Sequence, residues 1–290
     1  MSVQRFVEPQ TVADAWRDLA EDPWGAKVIA GGTAVVLMMR QRLLAPSSLV
    51  SIRGIPALRG IATADGVVRI GATTTLSEVA SSPEVRRHAP SVARACALVG
   101  NPRVRNAATL GGNLAEADYA SDPPAALAAV GARCTIVGPD GQRTVPVAEL
   151  ITGFYETVLA PAELVESIEL PAPAGERREV YLKYRSRSSE DRACVGVAAR
   201  IDLDRGRVAD ADVVVGAVAS TLQRAPEALA ELRGRRLDAE AAGSVARAYA
   251  AAIEPMHDGR GSASYRRKMI QVFVRRALLQ ITDEAGGEDA

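Results

Sequence analysis

The 290-residue chain holds only two histidines, His88 and His257, and neither stands at a metal-ligand spacing. No Ser-His-Asp or Cys-His machinery can be assembled from so few imidazoles. Any chemistry therefore passes to a bound cofactor. Cysteine is equally sparse: Cys96, Cys134 and Cys194 lie far apart with no CxxC pair. That spacing excludes a zinc site and an iron–sulfur cluster held by this chain, and it fits buried, reduced thiols. Aromatic residues make up 4%, which argues against base-stacking platforms. Thirty-five acidic residues balance thirty-five basic ones, so no overall field draws in nucleic acid or an anionic membrane. Apolar runs such as Ala34 to Met39 are far too short for a transmembrane segment. Met1 to Gln10 lacks the pattern of a signal peptide, and a cytoplasmic location is expected.

What the chain has is a large apolar fraction, 48%, enough for a sizeable core and for two domains. Its most specified stretch is Val99 to Pro124, VGNPRVRNAATLGGNLAEADYASDPP. Asn101-Pro102 and Asp122-Pro123-Pro124 read as turns at its ends, and Gly111-Gly112 can take positive φ and let a ligand approach the main chain closely. A long polar loop of this kind is more often functional than connective. Earlier, an apolar strand over Lys27 to Ala30 runs into Gly31-Gly32-Thr33, and helix formers resume from Ala34 to Leu44. Strand, glycine turn and helix start point free backbone N–H groups at an anion. The turn is neither a P-loop nor GxGxxG. Thr11 to Ala20 and Pro90 to Val99 carry helical periodicity, and Thr75 with Glu78 forms a capping-box pattern. Pro139-Asp140-Gly141 marks a hairpin between Arg133–Val137 and Thr144–Val147.

The composition shifts after the strand Leu164 to Leu170, where Pro171-Ala172-Pro173-Ala174-Gly175 reads as a linker. Beyond it a strand meander is expected over Val180–Tyr184, Ala193–Leu203 and Val208–Ala219. Helices follow over Pro226–Leu232, Asp238–Ile253 and Ser262–Ile281. The last carries Arg266, Arg267, Lys268, Arg275 and Arg276 largely off its apolar face, on a face read first as a solvated surface and second as a docking surface.

Two glycine turns that both offer main-chain N–H groups could converge on one diphosphate. In these residues the chain resembles the FAD-binding medium subunit of the molybdenum hydroxylases, the xanthine dehydrogenase and carbon monoxide dehydrogenase family. The resemblance rests on VIAGGTAV (Val28–Val35), IGATTTLSEVA (Ile70–Ala80), VGNPRVRNAATLGGNLAEADYASDPPAAL (Val99–Leu127), LVESIELP (Leu164–Pro171) and DGRGSASYRRKM (Asp258–Met269). It covers essentially the whole chain. It implies an α+β fold: a two-subdomain FAD-binding domain of the molybdopterin dehydrogenase type over 1–172, divided near residue 55, and a smaller strand-and-helix domain over 176–290. It implies that Val28, Ile29, Ala30, Gly31, Gly32, Thr33, Ala34 and Val35 form the first FAD loop. Thr109, Leu110, Gly111, Gly112 and Asn113 form the second. Val99 would pack near the cofactor, Asp122 would bond one of its hydroxyls, and Val165 and Lys183 would fall on the flavin side. A cation near the flavin would favour its reduced, anionic form; the alternative for Lys183 is a strand-edge lysine facing water.

Two departures stand out. Relatives often carry an acidic or polar residue where this chain has Ala34, and often Pro where Tyr119 stands, so Tyr119 could stack on or shield part of the flavin, or simply fill the gap. Three scattered cysteines exclude the branch of the family that adds a cluster to this subunit. The resemblance implies electron transfer: a large molybdenum-cofactor subunit and a small 2Fe–2S subunit feed electrons to FAD, and a terminal acceptor takes them. A dimer of heterotrimers is the expected assembly. The rival readings are a self-contained FAD oxidoreductase, which would need a substrate pocket with a positioned base, and a non-catalytic nucleotide-binding subunit.

Overall fold

The computed structural model describes residues 5–173, 175–188 and 191–283. Ala174 of the expected linker, and the outer ends of both expected domains, lie outside the described residues. The chain opens with β1 (Arg5–Val7), α1 (Val12–Glu21), β2 (Ala26–Ile29), α2 (Val35–Arg40) and β3 (Ser48–Ser51). The strands form a parallel sheet in the order β1-β3-β2, and the helices are the crossovers that parallel pairing demands. Thr11 caps α1 by accepting the Asp14 N–H, and Ala15 and Leu19, one turn apart, bury against Val50 and Ile52. Helix α2 stops well before Leu44, because Arg42 takes φ +62° and turns the chain away.

Next come β4 (Ile61–Ala64), β5 (Val67–Gly71), α3 (Leu76–Ser81), α4 (Pro83–His88), α5 (Pro90–Ala97), α6 (Pro102–Arg105), α7 (Leu110–Glu116) and α8 (Pro123–Ala129). They are followed by β6 (Arg133–Gly138), β7 (Gly141–Pro146), α9 (Val147–Leu150), β8 (Ile151–Gly153), β9 (Glu156–Thr157) and β10 (Leu164–Leu170). An antiparallel sheet runs β4-β5-β10-β6-β7, while β8 and β9 pair separately. Leu76, Val92, Cys96, Leu110 and Leu127 from its helices pack against Val68, Ile70, Ile136 and Ile168 of the sheet. Thr75 and Glu78 close the capping box that starts α3.

The last part is the meander β11 (Glu176–Tyr184), β12 (Val195–Asp204) and β13 (Arg207–Gly216), then α10 (Pro226–Ala230), α11 (Ala239–Ala252) and α12 (Ala263–Asp283). Alternation along these strands gives the sheet two covered faces. Val197, Val213 and Val215 meet Tyr249, Ile270, Val274 and Leu278 of α11 and α12. Tyr181, Ala198 and Val214 join the core that α5 and α8 share with the preceding sheet. The alanines of α8 let the two parts approach closely. Among the described residues no helix is long and apolar enough to cross a membrane. All three cysteines are free and buried.

Two expectations need correcting. The stretch Val99 to Pro124 is not one long loop, because α6, α7 and the start of α8 fold within it. Its Asn, Thr and Pro residues are helix starts: Asn101 accepts the Val104 N–H at 3.1 Å, Thr109 accepts the Gly112 N–H at 3.1 Å, and prolines open α6 and α8. Arg266 does not belong to a solvated face. It is 0% exposed, with its guanidinium donating to Asp258 Oδ1 at 2.6 Å and to the Ala217 carbonyl.

Candidate functional site

Strand β2 delivers Val28 and Ile29 to its C-terminal end, and the chain then turns through Ala30, Gly31, Gly32, Thr33 and Ala34 before α2 begins at Val35. Gly32 holds φ +73°, which a Cβ would strain. Gly31 is needed for a different reason. A Cβ on it would stand 1.9 Å from the Ala107 carbonyl oxygen, so this turn lies directly against the segment that leads into the second one. Among the described residues nothing accepts a hydrogen bond from the N–H of Gly31, Gly32, Thr33 or Ala34. Backbone donors left unspent at a strand end suit an anionic ligand.

The second turn is built otherwise than expected. Gly111 and Gly112 sit in the first turn of α7, and neither has positive φ. Gly111 is there for close approach, since a Cβ would reach 2.5 Å from the Ala72 side chain. The N–H groups of Leu110 and Gly111 are spent on the carbonyls of Thr74 and Ala72, both at 2.9 Å. Those of Gly112 and Asn113 go back to Thr109. This turn therefore offers side chains more than main-chain donors. Asn113 Oδ1 accepts the Ser121 hydroxyl at 2.9 Å, which leaves the Asn113 amide N–H groups to point elsewhere. A Cβ on Gly112 would stand 3.9 Å from that of Ala30, so the two glycine turns meet. Beside Thr109 opens a polar cleft of about 310 Å³ edged by Arg53, Arg59, Thr73, Thr75 and Asn106.

Ser121 leads to Asp122, and here the last domain enters. Lys183 Nζ on β11 stands 2.7 Å from Asp122 Oδ2 and donates to the Leu98 carbonyl at 2.9 Å. Tyr181, on the same face of the strand, donates to Asp122 Oδ1 at 2.6 Å. Gly196 opposite makes room for that ring; a Cβ there would lie 2.7 Å from the Tyr181 hydroxyl. Burial pushes the Asp122 carboxyl above its ordinary value, against the pull of Lys183 and Tyr181. The reading of Lys183 as a water-facing strand-edge residue does not hold, since its side chain is 2% exposed. Val99 follows Leu98 and is half-buried, its carbonyl held by Arg105 at 3.0 Å. Val165 is largely buried, 5% exposed, among the core residues of the five-stranded sheet, beside Glu166, whose carbonyl binds the Ala72 N–H.

Against known proteins, residues 2–173 match the family model for the FAD binding domain in molybdopterin dehydrogenase, and 180–281 match the CO dehydrogenase flavoprotein C-terminal domain. The chain belongs to the molybdenum hydroxylase flavoprotein family. It is 35% identical over 270 residues to the carbon monoxide dehydrogenase medium chain of Hydrogenophaga pseudoflava, covering 93% of this chain and 94% of that one. It is 31% identical to the nicotine 6-hydroxylase medium subunit of Paenarthrobacter nicotinovorans, over 95% and 96% of the two chains. Among solved structures, carbon monoxide dehydrogenase from H. pseudoflava superposes with a TM-score of 0.93 at 35% identity, over 97% of this chain and 98% of that one.

As a member of this family the chain is an FAD-binding subunit of an oxidoreductase, and its α+β fold is the family's. The residues present fit the cofactor: a row of unspent N–H groups for a diphosphate, small residues where two turns touch, and polar side chains from Thr109 and Asn113 beside them. Sequence reading passed over Tyr181, although it shares a strand face with Lys183 at a spacing of two. It also passed over Ser121 and the arginines of the cleft, since isolated polar residues carry no pattern.

Proposed function

We propose that this chain is the flavin electron-transfer subunit of a molybdenum-containing hydroxylase. We divide it into an FAD-binding domain over 1–172, with subdomains of about 1–55 and 56–172, and a C-terminal domain over 176–290. The observation that supports this most is the meeting of the two glycine turns beneath four unspent N–H groups. Gly31 to Ala34 donate those groups to the FAD diphosphate, flanked by Val28, Ile29, Ala30 and Val35. Thr109 and Asn113 add side-chain contacts, with Leu110, Gly111 and Gly112 shaping the floor. Asp122 already serves Tyr181 and Lys183, and its remaining lone pairs take a cofactor hydroxyl. Lys183 supplies positive charge toward the flavin, with Val99 and Val165 packing nearby.

FAD, when bound, stores electrons that arrive from 2Fe–2S clusters of a small partner subunit and passes them to NAD, a quinone or oxygen. Substrate is oxidised at the molybdenum cofactor of a large partner. The two relatives named above belong to enzymes of carbon monoxide and of nicotine, which supports leaving substrate choice to that large subunit. The assembly is a cytoplasmic dimer of heterotrimers. Purification from the native host tests this: the chain should arrive yellow and with both partners. A lone monomer that oxidises a small substrate at an ordinary rate, on the order of 10 per second, would sink the idea.

A further inference from the structure

Between Asn113 and Asp122 the chain carries an aromatic residue whose hydroxyl is tied into the other domain. Tyr119 donates to Asp258 Oδ2 at 3.0 Å and accepts from Arg260 Nη1 at 2.8 Å. Asp258 in turn binds the buried Arg266, and the Tyr119 ring stands edge-on to Phe154 with centroids 5.3 Å apart. The backbone around it is strained and over-determined. Ala117, Tyr155 and Ala217 all take positive φ, at 51°, 57° and 66°. The Tyr155 N–H binds the Ala117 carbonyl at 3.2 Å, the Ala217 N–H binds the Tyr119 carbonyl at 3.1 Å, and Arg266 holds the Ala217 carbonyl. Asp118 adds an ion pair to Arg192 at 3.0 Å. Strain kept in place by so many contacts collects where a geometry has to be exact to within a fraction of an ångström. The segment so fixed runs straight on to Ser121, which holds Asn113, and to Asp122, which holds Lys183.

We infer that Tyr119 is a positioning residue for the flavin: its hydroxyl locks the segment 117–122 to the C-terminal domain, and so sets where Asn113, Asp122 and Lys183 stand around the cofactor. This rests on the FAD reading above. The ring could fill its space as phenylalanine and keep the Arg260 guanidinium over its face, 6.0 Å from the centroid; only the hydroxyl hydrogen-bonds Asp258 and Arg260.

The test is Tyr119→Phe in the full chain loaded with FAD, read by FAD affinity, visible spectrum, flavin midpoint potential and melting temperature. The dissociation constant should rise about fivefold, because the two hydrogen bonds that phenylalanine loses are felt only in part at the cofactor. The midpoint potential should fall as Lys183 is held less firmly near the reduced flavin. Arg260→Gln, which keeps Tyr119 and its bond to Asp258, should shift the same readouts less, and it decides the matter if Tyr119→Phe does not fold. A lower melting temperature with unchanged potential, spectrum and affinity overturns the positioning role and leaves ordinary packing. A wild-type chain that takes up no FAD overturns the flavin reading itself, and the positioning role with it.

Discussion

Lys183 reaches out of the C-terminal sheet to Asp122 at the head of α8, 2.7 Å away, and the two side chains are 2% and 3% exposed. Such a pair is poor evidence of stability as it stands, but removing one member strands the other charge in a dry place. Lys183→Met should therefore cost about 3–5 kcal/mol. Adding Asp122→Asn to it should return much of that loss, because the stranded carboxylate is gone. Urea unfolding of both singles and the double closes the cycle. Two losses that simply add would show that the residues do not share one sealed contact.

Glu179 sits on β11 at 8% exposure and takes the hydroxyl of Ser91 from α5, with Arg177 and Arg200 as its charged neighbours. Burial pushes its carboxyl up from 4.5 to about 7, against the pull of Ser91 and the two arginines. The folded chain thus binds more protons than the unfolded chain between those values, and stability falls as pH rises through that window. Glu179→Gln should flatten the slope and raise the melting temperature above about pH 7. Thermal melts across the window measure it. An unchanged slope would assign the effect elsewhere, though not to Asp258. The Arg260 N–H, Tyr119 and Arg266 overcome burial and hold that carboxyl at about 2, so its contribution is lost only as pH falls from 3.8 toward that value.

Legibility followed locality. The capping box of Thr75 and Glu78, the hairpin at Pro139-Asp140-Gly141 and the span of β10 were all readable, because each is decided by a few adjacent residues. The stretch after Val99 misled because Asn, Thr and Pro serve turns and helix starts alike, and only the backbone that follows separates the two. Gly111 looked like a conformational glycine, yet it is small because Ala72 lies against it, a neighbour far away in sequence. Arg266 looked solvated on helical spacing; its burial depends on Asp258 and a carbonyl from the β13 end, which no periodicity reports. The partnership of Asp122 with Lys183 is likewise purely tertiary. Family resemblance brought both to one site, but only the fold makes them a pair.

The flavin should be held without a covalent link. Neither glycine turn contains a histidine or a cysteine that could attach it. Acid precipitation of the purified protein should release the yellow colour to the supernatant. Colour that stays with the pellet would mean an attachment site elsewhere in the chain.

Gly31 gives the sharpest probe of how the two turns meet. Its added Cβ would fall 1.9 Å from the Ala107 oxygen and 2.7 Å from the carbonyl carbon, and backbone there has no rotamer by which to yield. In Gly31→Ala the turns must part, moving the unspent N–H groups away from Thr109 and Asn113. Overpacking of this kind costs about 1–3 kcal/mol, so the chain should still fold. FAD is then lost out of proportion to stability, because a diphosphate held by aligned donors is sensitive to small displacements. Gly54→Ala is the matched control, since a Cβ there meets nothing within 4 Å. The ratio of visible to ultraviolet absorbance in the purified proteins reads the flavin content. A full complement of flavin in Gly31→Ala would show that the two turns bind nothing in common.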